Sequence, residues 1–123
     1  MSAEDRKKAL LLGLRAETLA AFYLQAKGYR ILERRYSVPG GEVDIIARRG
    51  AVVAFVEVKA RATLDLALAS IDAVKRRRMS RAAAHWLAGR DWAVLCVQRG
   101  DALCVAPWQW PRHVEGAVEL RIG

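Results

Sequence analysis

The stretch Gly41–Lys59, GEVDIIARRGAVVAFVEVK, decides how the chain folds. Two apolar runs, Val43–Ala47 and Ala51–Val58, flank Arg48-Arg49-Gly50 and are rich in Val, Ile and Phe. β-Branched and aromatic residues around a glycine turn predict two antiparallel strands. Acids and a lysine stand in them where packing alone would favour more valine. Side chains alternate faces along a strand, so Glu57 and Lys59 share a side with Phe55. A two-residue loop at Arg49-Gly50 sets Arg48 opposite Ala51 and Asp44 opposite Phe55, which gathers Asp44, Glu57 and Lys59 on one face. Asp44 and Glu57 are then diagonal neighbours roughly 7–8 Å apart, near enough to lean together on a divalent cation. A loop of odd length would reverse the parity and disperse the set.

Asp44 followed by Glu57-Val58-Lys59 resembles the PD-(D/E)xK signature of restriction-endonuclease-like nucleases. The wider string GEVDIIA…VAFVEVKAR resembles the YraN family of small bacterial proteins, which are similar to Holliday-junction resolvases. The resemblance runs from about Gly13 to His113. It implies a restriction-endonuclease-like core and a metal-dependent nuclease, with Mg²⁺ or Mn²⁺ held by Asp44, Glu57 and the Val58 carbonyl. Lys59 would position or deprotonate the attacking water and offset charge on the phosphate. Gly13-x-x-x-Glu17 matches a GxxGE pattern in which Ala16 replaces the second glycine, and this implies Glu17 as a further metal ligand. Glu42, on the face of Asp44, and Arg61 are candidates for an outer layer around the site. Junction resolvases act as dimers, so a homodimer is a further implication. Besides Ala16, three positions depart from the expected patterns: Arg35 stands where asparagine is usual, Val43 replaces the motif's proline, and Gly100 replaces an aromatic in Arg99-Gly100-Asp101.

With 123 residues, 54% of them hydrophobic, the chain has the material for one domain around one core. Its formal charge of +8 points to a polyanionic partner, nucleic acid and DNA first, ahead of a merely solubilising surface. The basic residues form no separate amphipathic tail, which argues against a membrane surface. The apolar run Leu10–Leu14 is too short and too polar in its flanks for a signal peptide, so a cytoplasmic protein is expected. Cys96 and Cys104 lie in apolar runs without a CxxC or Cys/His cluster; two buried thiols are expected and no zinc site.

Outward from the hairpin, residues from Glu4 to Lys27 read as one helix closed by Gly28. Leu10, Gly13, Glu17, Ala20, Ala21 and Leu24 fall on one stripe of it, where Glu17 needs either a basic partner or a metal. Tyr29–Tyr36 reads as a strand and Ser37–Gly41 as a loop. After Lys59, ARATLDLALAS reads as irregular. Ser70 then caps a helix from Ile71 to Ala88, closed by Gly89, with Asp72 in its first turn. That helix carries the densest positive patch, with Lys75 and Arg78 on one face and Arg77 and Arg81 on the next. These four are the candidates for holding nucleic-acid phosphates. Strands from Trp92 to Gln98 and from Asp101 to Ala106 follow, then Trp108 and Trp110 between prolines, read as rings covering the end of the core. The tail from His113 is uninformative. The order α-β-β-β-α-β-β makes the third and fourth strands parallel and gives an α/β fold, a central mixed sheet flanked by helices. Two other functions compete with the nuclease. One is a nucleic-acid-binding module on the same fold without turnover; the other is a basic interaction protein.

Overall fold

The computed structural model describes residues 2–122, with side chains throughout except at 6–14. Nine elements follow in order: α1 (Ala3–Ala26), β1 (Arg30–Val38), β2 (Gly41–Arg49), β3 (Val52–Ala60), α2 (Leu64–Ala69), α3 (Ala73–Leu87), α4 (Asp91–Val94), β4 (Val97–Val105) and β5 (Arg112–Val118). The five strands form one mixed sheet in chain order, with β3 and β4 parallel and the other neighbours antiparallel. The expected α/β architecture and the parallel third and fourth strands are thus present.

Helix α1 starts at a capping box in which Ser2 accepts from the Asp5 amide, and the Asp5 carboxylate accepts from the Ser2 amide. It ends where Gly28 takes a φ of +91°, with Gly28 and Tyr29 donating to the Gln25 and Leu24 carbonyls. Ala20, Ala21 and Leu24 pack on Tyr29, Ile45, Ala47, Ala54, Val56 and Leu103 on one face of the sheet. Leu10 and Gly13, placed on the same stripe from sequence, lie outside the described residues. On the other face α3 lays Met79, Ala82, Ala83 and Trp86 against Ile46, Val53 and Phe55. The Phe55 and Trp86 rings meet edge to face at 5.9 Å, and burying each contributes about 1.5–3 kcal/mol.

Several boundaries differ from the sequence reading. The loop at Ser37–Gly41 contracts to Pro39-Gly40, because β1 runs on to Val38 opposite Gly41 and Gly40 adopts a φ of +77°. The turn after β2 is Gly50-Ala51, with Arg49 opposite Val52. Thr63 accepts from the Leu66 amide and starts α2 in the stretch read as irregular. Asp72, not Ser70, caps α3; its side chain accepts from the Lys75 amide. Trp92 lies in α4, and the two strands expected around Arg99-Gly100 are one strand, β4. Gly100 does not turn the chain. A Cβ there would collide with the Val118 carbonyl oxygen and sit 2.9 Å from Leu120 Cγ, so the glycine admits β5. The fifth strand comes from the tail instead. Cys104 is buried and Cys96 only half-buried; both are free thiols. Among the described residues no helix is long and apolar enough to cross a membrane.

Candidate active site

Pairing between β2 and β3 ends at Ile45 opposite Val56, while β1–β2 continues to Gly41 and β3–β4 to Ala60. The sheet therefore forks, and the next residue on each prong is an acid, Asp44 or Glu57. The turn lies one residue later than expected, which shifts the pairing by two; that even shift keeps both acids on one face and sets Asp44 across from Glu57 rather than Phe55. At the fork the Val58 amide donates to Asp44 Oδ2 at 2.8 Å. Helix α3 closes over this opening because Gly41 lets it approach; a Cβ there would lie 2.9 Å from both the Ala82 nitrogen and the Arg78 carbonyl oxygen.

Lysines meet the acids inside the fork. Lys59 Nζ lies 3.4 Å from Glu57 Oε1, and Lys75 Nζ lies 3.3 Å from the same oxygen and 2.6 Å from Glu42 Oε1. Glu57 is 1% exposed, and its second oxygen, Oε2, is buried without a hydrogen-bond partner. Burial and then the Asp44 carboxylate push the Glu57 pKa up to about 7, against the pull of Lys75 and Lys59. Burial likewise raises Asp44, with the Val58 amide pulling the other way. The Lys75 hydrogen bond holds Glu42 low, and Lys75 stays charged despite burial because Glu42, Glu57 and Asp44 surround it. The site holds strong opposite charges out of water with one acid only half-ionised near neutrality.

Glu17, 7% exposed, finds basic partners: Arg34 Nε at 3.1 Å and Arg35 Nε at 2.8 Å. Its charge still raises the Asp44 pKa. Arg35 has a φ of +53°, a region that asparagine enters more readily than arginine, which gives a physical reason for the asparagine usual in the resembled family. Among the described residues no three His, Cys, Asp or Glu side chains gather as metal ligands.

Of the four predicted phosphate-holding residues, Lys75 is drawn into the acids and Arg78 Nε lies 3.8 Å from Glu42. Arg77 and Arg81 line an open groove with Arg76, Arg121 and Gly40. Arg61 is exposed and donates to the neighbouring Ala60 carbonyl. Trp108 and Trp110, expected to cover the core, are almost fully exposed.

Sequence reasoning missed a second polar cluster on the α1 face. Buried Asp101 accepts from Arg99 at 2.8 Å, from His113 Nε2 at 2.7 Å and from the Gly116 amide at 3.0 Å. Lys27 Nζ reaches His113 Nδ1 at 2.7 Å. A lysine ammonium only donates, so Nδ1 accepts and Nε2 carries the proton given to Asp101. Burial opposes the Asp101 charge, but His113 and Arg99 hold its pKa below the usual value. The only sequence signal was the i,i+2 spacing of Arg99 and Asp101; the other partners come from the far ends of the chain.

Fold and site define an α/β protein with paired carboxylates and lysines in the fork of a mixed sheet. The chain belongs to the family described as "Uncharacterised protein family UPF0102", whose model matches residues 16–105. That span includes every residue of the fork and Asp101 but stops short of Trp108 and His113. The chain is 57% identical to a UPF0102 protein of Methylocella silvestris over 98% of both chains. It is 52% identical to one from Methylobacterium nodulans, over 97% of this chain and 92% of the relative. A UPF0102 protein of Bartonella bacilliformis is 45% identical over 94% of both.

Proposed function

We propose that this chain is a metal-dependent nuclease with a restriction-endonuclease-like core, hydrolysing phosphodiester bonds in DNA and selecting structure, such as branches or ends, over sequence. The observation that carries this reading is the buried acid pair Asp44 and Glu57 at the fork: the two carboxyls interact directly, and among the described residues no amide or basic group donates to Glu57 Oε2. An orphaned buried oxygen on a charged group is costly and calls for an ion or ligand. Hard carboxylate and carbonyl oxygens suit Mg²⁺ or Mn²⁺. Asp44, Glu57 and the Val58 carbonyl would hold one, and Glu17 is committed to Arg34 and Arg35. When bound, such an ion supplies Lewis acidity and an acidified water.

The chain's own groups do the rest. Lys59, beside Glu57, orients the attacking water and offsets the charge that develops on the phosphate. Lys75 holds Glu57 and Glu42 in place and adds positive field behind the acids. Arg77, Arg78 and Arg81 on α3 grip backbone phosphates without reading bases. The resemblance to junction resolvases supports a branched substrate and a homodimer, and the absence of a membrane-crossing helix among the described residues fits a cytoplasmic enzyme.

One observation favours a second reading. The Lys75 ammonium already bridges two acids, so the cluster is partly neutralised by the chain itself. A DNA-binding module without turnover needs no more than that. Cleavage of labelled duplex, single strand, flap and four-way junction in Mg²⁺, Mn²⁺ or EDTA separates the two. Metal-dependent cutting supports the nuclease and the preferred substrate names its class. Binding to these DNAs with no cutting under any metal leaves the module.

A further inference from the structure

Where β3 and β4 end side by side, the chain presents an apolar groove. Leu19 of α1, Ala60, Arg61, Ala62 and the segment Val105–Trp110 line it. Trp108 is wholly exposed and Trp110 is 86% exposed, so neither ring contributes to the core. Trp108 also holds a φ of +62°, a backbone state that costs a bulky residue energy. Exposed indoles on a strained turn between Pro107 and Pro111 gain nothing for folding. The groove begins one residue beyond Lys59, and the Arg61 amide ties it to β4 through the Val105 carbonyl at 3.1 Å.

We propose that Trp108 and Trp110 form a stacking subsite for unpaired DNA bases, with Arg61 meeting the phosphate between them. Charge decides the occupant: the groove's one charged lining residue is an arginine, and the chain carries a net +8. Indole faces beside a cation suit a base–phosphate repeat. The inference deepens the proposed function and rests on it, the groove lying at the end of the strand that carries Glu57 and Lys59: DNA with a single-stranded segment, such as a flap or frayed end, is the substrate class selected.

The test is anisotropy with a labelled oligo-dT and a blunt duplex, in EDTA, for wild type, Trp108→Ala, Trp110→Ala and the two Phe variants. Each Ala substitution is expected to weaken oligo-dT binding on the order of tenfold and leave duplex binding unchanged, while Phe retains most of the affinity. Both sites are exposed, so melting temperatures should stay level and exclude misfolding as the cause. Unchanged oligo-dT affinity, or equal losses for duplex and single strand, overturns the subsite. So does sedimentation showing that the Ala variants split a dimer while single-strand binding persists, which would make the groove a self-association surface. The readout needs no cleavage. A protein that stacks bases but never cuts loses the nuclease reading alone, and one that cuts without stacking loses only this subsite.

Discussion

The Val58 amide donates to Asp44 Oδ2 across 2.8 Å, at the point where β2 and β3 cease to pair. A strand amide freed from its ladder needs an acceptor, and the carboxylate supplies it. One prong's acid thereby fixes the opening of the other. Glu57, the opposing acid, has no equivalent donor on Oε2 and is left to the field of two lysines.

That asymmetry makes stability depend on pH in a defined direction. The Glu57 pKa of about 7 lies above its ordinary 4.5, so between those values the folded protein holds a proton that the unfolded chain has released. Stability from this group is full below about pH 4.5 and is lost as pH rises through 7. Glu57→Gln cannot ionise. Urea melts should show wild type losing on the order of 2–3 kcal/mol relative to Glu57→Gln between pH 5 and pH 8. Parallel pH profiles would contradict the raised pKa.

Lys75 and a divalent cation compete for the same acids. Lys75→Met should lower stability by about 1–3 kcal/mol, since it leaves partly buried carboxylates short of a partner. Added Mn²⁺ should then raise its melting temperature more than it raises that of wild type. If Mn²⁺ stabilises neither protein, the acids and lysines are a structural ion cluster.

The approach of α3 depends on Gly41. Gly41→Ala drives a Cβ into main-chain atoms of Arg78 and Ala82, which cannot rotate away. A cost of about 1–3 kcal/mol is expected, with a matching fall in DNA affinity as α3 lifts. Gly89→Ala is the control: a Cβ there meets nothing within 4 Å, and its stability should hold or rise slightly.

Asp101 joins β4 to β5 and, through His113, to Lys27 at the end of α1. Asp101→Ala removes the acceptor for Arg99, His113 and the Gly116 amide and should cost about 3–5 kcal/mol in denaturant melts. Because its folded pKa is depressed, its contribution is present above the ordinary value of 3.8 and disappears as pH falls through the folded one. Wild type and Asp101→Ala should therefore converge in stability in strong acid.

The hairpin, the mixed sheet and the common face of Asp44, Glu57 and Lys59 were legible because alternation survives an even shift of register. The turn itself was misplaced: Gly50, with a φ of +59°, is the first loop residue, a place glycine favours, rather than the last. Two strands were read on either side of Arg99-Gly100 because sequence cannot separate a glycine that interrupts a strand from one that admits a neighbouring backbone. Strand β5 and the His113 network stayed hidden for a related reason. The polar, glycine-containing β5, RHVEGAV, carries no strand pattern until β4 is there to pair with it, and Lys27 and His113 lie 86 residues apart. Glu17 was read as needing a cation of some kind, and only the fold brought Arg34 and Arg35 to it.

The most direct measurement is Mg²⁺-dependent cleavage of a labelled four-way junction and a flap by wild type and Asp44→Asn. Asparagine keeps an oxygen for the Val58 amide and so preserves the fork while removing the negative charge. The account predicts cutting by wild type that EDTA abolishes, and DNA binding without cutting by Asp44→Asn. Cleavage that persists in Asp44→Asn, or a wild type that binds these DNAs and cuts none of them with any metal, would contradict it.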